Sequence, residues 1–531
     1  MKRIFRPLYI SLVFALSLSS CGSQKMISTP VENIDNLPLK TTPVAENDLK
    51  RWSHLDLVKD TIPGMSVDKA YKELIKGKKG KKVIVGIVDS GVDINHEDLK
   101  AVIWTNPKEI AGNGIDDDKN GYIDDIHGWN FLGDAVHEQL EMTRIVKKGP
   151  GTPEYDKAKA QLDEEIKGLT PQKQQLDFIL NAEKTIADYL KKSDFTLEEV
   201  KAIQSDETGV KQAKAMFTQI LSKSSKAEFD AQIEEFKDYV YSQINYNLNV
   251  DFDGRKIVGD NPDDLNDTKY GNNNVVGPDP KEAKHGTHVA GIVAQVRGNN
   301  LGGDGVTNNA QIMTIRAVPN GDEYDKDIAL GIRYAVDNGA KVINGSFGKY
   351  YSQHKEWVMD AIKYAESKDV LVVIAAGNES YDLDVTNKYP NDTYDGSPEY
   401  AKNVLIIGAL SPSYGSKVVA DFSNYGKNNV DIYAPGDEIY ATTPLNTYEF
   451  LQGTSMASPN VAGVAALIRS YYPKLTAVQV KQIIMESGTP LKNQVVIGED
   501  KHKADFADAS KSGRIVNAYN ALLLAAKMAK K

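Results

Sequence analysis

The stretch "VIVGIVDSG", residues 83–91, decides the fold. A strand with one wet face alternates apolar and polar residues. This run does not alternate, so it reads as a strand buried on both faces, ending at Asp89. Similar runs recur as "QIMTIRAV" (311–318), "KVINGSFG" (341–348), "VLVVIAAGN" (370–378) and "NVLIIGAL" (403–410). Helical stretches such as "IALGIRYAVDNG" and "EWVMDAIKYAES" lie between them. Strand and helix in alternation predict an α/β fold of three layers, a mostly parallel central sheet covered by helices on both faces.

In such a sheet the carboxyl ends of the strands and the N-termini of the following helices share one edge, where ligands bind. Asp89 ends the first strand, and His285 opens "HGTHVAGIVA". Asn378 ends "VLVVIAAGN", and Ser455 lies in "LQGTSMASPNVAG" (451–463). Proline is tolerated at the start of a helix, so Pro459 places a helix start near Ser455. Taken alone, Gly-Thr-Ser is either a small-residue N-cap or a nucleophile beside free backbone N–H groups. The four residues together favour the second. A serine hydroxyl needs a base, and imidazole suits neutral pH. Imidazole needs a carboxylate to hold its tautomer, and a tetrahedral oxyanion needs donors, here the Asn378 amide and the Ser455 N–H. His288 falls within the helix body and reads as a packed histidine.

The motifs "DSG", "HGTHVAG", "AAGN" and "GTSMASP", in this order, resemble those of the subtilisin-like serine proteases, or subtilases. The order Asp, His, Ser separates that family from other triad hydrolases. The resemblance covers roughly residues 60–136 and 251–525. It implies a subtilisin-like fold, a triad of Asp89, His285 and Ser455, and an oxyanion hole completed by Asn378. It further implies that Gly345, Ser346 and Phe347 pair with the substrate backbone. Ala375, Ala376 and Gly377 would then form the facing wall of the pocket for the residue before the scissile bond. The implied substrates are proteins or peptides, with no organic cofactor.

Residues 137–250 interrupt the pattern. They are rich in Lys, Glu and Gln and hold no strand-like run. Starts at "TPQ" (170–172), Thr196–Glu199 and Ser225–Glu228 predict three to five helices, an inserted helical subdomain within a catalytic domain of residues 61–136 and 251–525. Because Asp89 and His285 flank it, its ends should lie on the active-site side of the sheet. "DDDKNGYIDD" (116–125) carries alternating oxygens around a glycine turn, a calcium-loop pattern with Asp116, Asp118, Asn120 and Asp124 as ligands and Asp125 as a late one. The expected Ca2+ is structural. The acidic group Asp251, Asp253, Asp260, Asp263 and Asp264 reads either as a second ion site or as a solvated loop. Asp98 sits where many subtilases place a calcium ligand.

Of 531 residues, 41% are hydrophobic and 26% charged, which fits a folded body, and the net charge of −10 argues against nucleic-acid binding. Lys2, Arg3 and Arg6 precede the apolar "LYISLVFALSL" (8–18), the pattern of a secretory signal peptide over residues 1–20. "LSSC" resembles a bacterial lipobox, with Cys21, the one cysteine of the chain, as the lipidated residue. Residues 21–60 then read as a lipidated tether. They are short for the inhibitory propeptide usual in such proteases. The expectation is an exported bacterial lipoprotein, facing the periplasm or the cell surface, anchored to an outer membrane by its lipid. The leading reading is a serine endopeptidase. The alternative is a calcium-stabilised surface binding protein on the same scaffold.

Overall fold

The computed structural model describes residues 44–530. The expected signal peptide, Cys21 and the first part of the tether lie outside the described residues. The strands are β1 Val83–Asp89, β2 Gly128–Asn130, β3 Ala310–Arg316, β4 Val342–Gly345, β5 Leu371–Ala375, β6 Val404–Leu410 and β7 Ile432–Pro435, then β8 Ile439–Thr443, β9 Thr447–Leu451, β10 Thr489–Pro490, β11 Gln494–Ile497, β12 His502–Asp505 and β13 Arg514–Ile515. Nine of them form one sheet in the order β10-β13-β7-β6-β5-β4-β1-β3-β2. Every pairing in it is parallel except that of β10 with β13. The pairs β8–β9 and β11–β12 are separate antiparallel hairpins.

Two registers position the site. Val88 of β1 pairs with Gly345 of β4, and Gly345 pairs with Ile374 of β5. The three strands therefore end level, and Asp89, Ser346 and Ala375 stand along one edge. The strands β1, β4, β5 and β6 are buried almost throughout, as their unbroken apolar runs require.

The longer helices, in chain order, are α1 Glu141–Lys148, α2 Tyr155–Leu190, α3 Leu197–Ala202, α4 Thr208–Leu221, α5 Lys226–Ser242, α6 Lys284–Ala294, α7 Asp325–Asp337, α8 Lys355–Ser367, α9 Thr454–Tyr471, α10 Ala477–Ser487 and α11 Ala518–Met528. The helices α6, α9, α10 and α11 pack together against the sheet, and α7 and α8 pack as a second pair. The three-layer α/β arrangement is thus present.

Helices α1 to α5 enclose a hydrophobic cluster of their own, built on Leu162, Leu176, Phe195, Phe217, Phe229 and Val240. Capping boxes start α3 at Thr196 and α5 at Ser225, as the sequence predicts. "TPQ" starts nothing: Pro171 lies inside the 36-residue α2. It sits on the solvent face of that helix, where a lost backbone bond costs least. The two ends of the helical segment meet at buried Asn247, whose Nδ2 donates to Glu138 O at 2.9 Å and to Asn320 O at 3.1 Å.

The reading of residues 21–60 as a tether fails for the described part. Trp52 is 1% exposed, and its Nε1 donates to the carbonyls of Asp437 and Glu438 at 3.0 and 3.1 Å. Leu57, Ile62 and Met65 follow it into the core. A chain with that many apolar side chains to bury docks instead of remaining free.

Candidate active site

Asp89 is 1% exposed at the end of β1. Its Oδ1 accepts from Ser90 N at 2.8 Å and lies 2.6 Å from His285 Nδ1. His285 is the second residue of α6, and the next residue explains how that helix comes so close. A Cβ on Gly286 would stand 2.1 Å from Gly91 O and 3.1 Å from the Asp89 Cβ, so only glycine admits the helix to the strand end. The His285 ring is 37% exposed. Burial lowers its pKa, but the Asp89 charge and the hydrogen bond outweigh burial and raise it above the ordinary value. His288 is buried, touches Glu449 O at 3.1 Å and is pushed down to about 3 by burial, so it stays neutral and packs the helix.

Ser455 is the second residue of α9. Pro459 falls beyond the first turn of that helix, inside it. Its missing N–H leaves the Ser455 carbonyl without the usual i+4 donor, and Ser346 Oγ donates to that carbonyl at 2.8 Å. Ser458 Oγ donates to Asn344 Oδ1 at 2.8 Å, and Asn344 Nδ2 donates to Ser346 Oγ at 2.9 Å. This buried relay fastens the start of α9 to the end of β4. The Ser455 hydroxyl itself donates to Ser346 O at 3.2 Å.

Asn378 follows β5. Its Oδ1 accepts from Thr454 N at 2.8 Å and from Thr454 Oγ1 at 3.0 Å, which fixes Nδ2 as the outward group. Thr454 Oγ1 also accepts from Gly377 N at 2.9 Å. Gly453 has φ +143, and a Cβ built on it would lie 3.5 Å from Asn378 Nδ2 and 3.6 Å from Ser455 N. Two N–H donors thus border one small space that a side chain would fill, with Asn378 Oδ1, already bonded to Thr454, at 3.7 Å. Thr454, Gly453, Asn344 and Ser458 were not singled out from sequence. The packing of small hydroxyl residues in "GTSMASP" is the signal that points to them.

Ser346 and Phe347 line a cleft of about 560 Å3 together with Ser90, His285, Arg316 and Asn320. Gly345 lies at the end of β4 behind Phe347. Ala375 and Ala376 are buried, and the Ala376 and Gly377 carbonyls accept from Asn424 Nδ2 and N at 2.8 and 3.0 Å; none of residues 375–377 lines that cleft. Glu379 folds back so that its Oε2 accepts from Asn378 N at 2.8 Å and from the Tyr350 hydroxyl.

The acidic loop is arranged differently from the expected calcium set. Asp116 spends its carboxylate on the N–H groups of Asn120 and Gly121, and Asp124 on those of Gly112, Asn113 and Gly114. Asn120 Oδ1 accepts from Tyr122 N. Asp118 alone of the four joins a group that could hold an ion, with Glu109 and Asp125, their oxygens within 4.8 Å of one another. The Asp118 side chain is 3% exposed, Glu109 Oε2 is buried without a partner, and burial pushes Asp125 up to about 6. The carboxylates at 260 and 263 face basic side chains instead: Asp260 pairs with Arg255 and Lys326, and Asp263 with Lys148, with the His354 ring at 3.0 Å. Asp98 accepts from Val296 N and Asn299 Nδ2, with Oδ2 buried and free of partners.

A parallel α/β sheet whose carboxyl edge joins Asp to His and sets Ser at a helix N-terminus beside an Asn amide defines the class of triad hydrolases. The chain belongs to the subtilase family, whose profile matches residues 80–506. It is 38% identical over 252 residues to the thermophilic serine proteinase of Bacillus sp. (strain AK1), covering 47% of this chain and 54% of that protein. It is 40% identical over 187 residues to thermitase of Thermoactinomyces vulgaris, covering 35% and 61%. With subtilisin DY of Bacillus licheniformis it shares 37% identity over 216 residues, covering 40% and 74%. The chain therefore spans about half the length of the first of these relatives.

The Asp89 contact makes a direct prediction. NMR titration should place the His285 pKa above about 6.5. In Asp89→Asn the charge is gone and burial remains, so the pKa should fall. A His285 pKa that stays raised in that variant would contradict the assigned cause.

Proposed function

We propose that the chain is a serine endopeptidase. Ser455 Oγ attacks the carbonyl carbon of a peptide bond while His285, as neutral imidazole, takes its proton. Asp89 holds the Nδ1–H tautomer and stabilises the imidazolium. The negative charge that forms on the carbonyl oxygen meets Asn378 Nδ2 and Ser455 N. His285 then returns the proton to the departing amine, and water, activated by the same imidazole, releases the acyl group from Ser455. The observation that carries this reading is the pair of donors around Gly453, aimed by the bonds Thr454 gives to Asn378. The Ser455 hydroxyl, bonded to Ser346 O, has to rotate toward the imidazole when substrate enters. Gly345, Ser346 and Phe347 are proposed to pair with the substrate backbone, with Ala375 to Gly377 opposite.

Ser455→Ala should fold normally and lose nearly all hydrolysis of peptide substrates. Asn378→Ala should lower kcat by about 10²–10³, the cost known for removing one oxyanion donor in an enzyme of this family. Wild-type hydrolysis by Ser455→Ala would refute the assignment.

We further infer that Glu109, Asp118 and Asp125 hold a structural Ca2+. Three converging carboxylates, one with an oxygen buried without a partner, fit a hard cation; the cation already beside them is the exposed Lys108, 3.6 Å from Asp118. Bound calcium should raise the Tm by mass action, and Asp118→Ala should remove most of that rise. An unchanged calcium response in Asp118→Ala would exclude this cluster.

The finer placement of the protein rests on Cys21 as a lipidated residue that tethers the catalytic body to a membrane. Among the described residues no helix is long and apolar enough to cross one. Cys21→Ser should move the protein from the membrane fraction to the soluble one. Retention in the membrane fraction would count against lipidation.

A further inference from the structure

Four lysines are buried among the described residues: Lys326, Lys349, Lys388 and Lys481. Burying an ammonium is costly unless anions compensate it. Three of the four obey this. Lys326 stands 2.7 Å from Asp260 and 3.4 Å from Asp267. Lys349 stands 2.9 Å from Glu141 and 3.0 Å from Asp325. Lys481 has Asp392, Glu399 and Asp431 at 3.3 to 3.6 Å.

Lys388 is the exception. It is 4% exposed, and its one hydrogen bond goes to Phe347 O at 3.1 Å. Among the described residues no carboxylate comes within 4.0 Å of it. An ammonium has three N–H groups, so two are left over. Burial pulls its pKa down to about 8, with Glu323 and Glu379 opposing from further away. Arg316, also buried without a carboxylate, differs because four acceptors take its N–H groups: the carbonyls of Ser90, Gly133 and Ala135 and Asn130 Oδ1.

The position of Lys388 gives the deficit a meaning. The chain at Tyr389 is bridged to Lys349 by paired backbone bonds of 2.9 and 2.8 Å, so it runs beside the cleft strand. Lys388 Nζ lies against Gly348, where a Cβ would be 2.1 Å away. Phe347 and Gly348 line the cleft that holds His285. The two nearby acids act on Lys388 from a distance, and neither carboxylate comes within 4.0 Å of its Nζ. Glu379 is engaged by Asn378 N, by Asn424 Nδ2 at 3.1 Å and by the Tyr350 hydroxyl. Glu323 is buried, which pushes its pKa up to about 7, and its Oε1 has no hydrogen-bond partner.

We propose that Lys388 is a specificity-determining residue and that the anion it lacks is the side-chain carboxylate of the substrate. The pocket between residues 345–348 and 375–377 then selects Glu or Asp immediately before the scissile bond. This rests on the endopeptidase reading above. The ammonium supplies charge-assisted donors to a carboxylate, whereas the isosteric amide of Gln leaves the buried charge uncompensated.

The test is a series of chromogenic peptides that differ only in the residue before the cleaved bond, with Glu, Asp, Gln, Ala, Phe and Lys compared at pH 7. The expected result is a kcat/KM for Glu about tenfold or more above that for Gln, the lower end of the coupling measured between close charge pairs at interfaces. Lys388→Met should bring the ratio to about one or below, and Lys388→Arg should keep a preference for the acid. A wild-type ratio of one or less, with turnover otherwise intact, overturns the inference whether or not the variants fold. So does a Lys388→Met protein that retains the wild-type ratio. A wild-type protein that cleaves none of the series and leaves Ser455 unlabelled by a phosphonate overturns the endopeptidase reading itself, and this inference with it.

Discussion

Thr454 gives two hydrogen bonds to one oxygen of Asn378, and the geometry of the site depends on them. They join the end of β5 to the start of α9. They settle which end of the Asn378 amide points outward, because an oxygen that accepts twice cannot be the donor. Gly453, with φ +143 and its N–H donated to Gly436 O at 2.8 Å, leaves open the space beside Asn378 and Ser455 N. Without the two Thr454 bonds Asn378 could turn its amide over, and in the proposed reaction a carbonyl oxygen would face the developing negative charge. Catalysis by fixed dipoles needs this kind of prior orientation, since the cost of ordering the donors is met in folding and not at each turnover.

The rest of the edge is built by the same device, a short side chain or a missing one allowing two elements to meet end to end. Gly286 lets α6 touch the end of β1, so that His285 reaches Asp89. Pro459 frees a carbonyl that Ser346 then binds, and the relay through Asn344 and Ser458 returns to α9. The level ends of β1, β4 and β5 are what make these links possible. On the far side of the cleft, Asn247 clips both ends of the helical segment to Asn320, which lines the same cavity as His285. A segment of five helices is thereby rooted at the rim without giving a strand to the sheet.

What the sequence made legible follows a physical divide. Unbroken apolar runs such as "VIVGIVDSG" permit few structures other than a doubly buried strand, so the sheet and its edge residues could be read directly. Capping boxes at Thr196 and Ser225 are local, and they too were legible. Features that depend on distant partners were not. The calcium pattern shows alternating oxygens, but it does not say that Asp116 and Asp124 will turn theirs to backbone N–H groups while Glu109, seven residues before the pattern begins, turns inward. Trp52 looks like an isolated aromatic in a polar stretch until the carbonyls of Asp437 and Glu438 come to meet it. Pro171 reads as a helix start because local rules ignore that a solvent face tolerates the lost bond. Lys388 carries no signal at all in the linear sequence, since its oddity lies in what fails to surround it.

In the proposed reaction Ser455 and the donors around Gly453 act on a single reacting centre. The most direct measurement is the crystal structure of the protein after reaction with a peptidyl phosphonate. The expected adduct has a covalent bond from phosphorus to Ser455 Oγ, with one phosphoryl oxygen about 2.7–3.1 Å from both Asn378 Nδ2 and Ser455 N. A protein that remains unmodified at Ser455, or an adduct whose oxygen lies away from both donors, would contradict it.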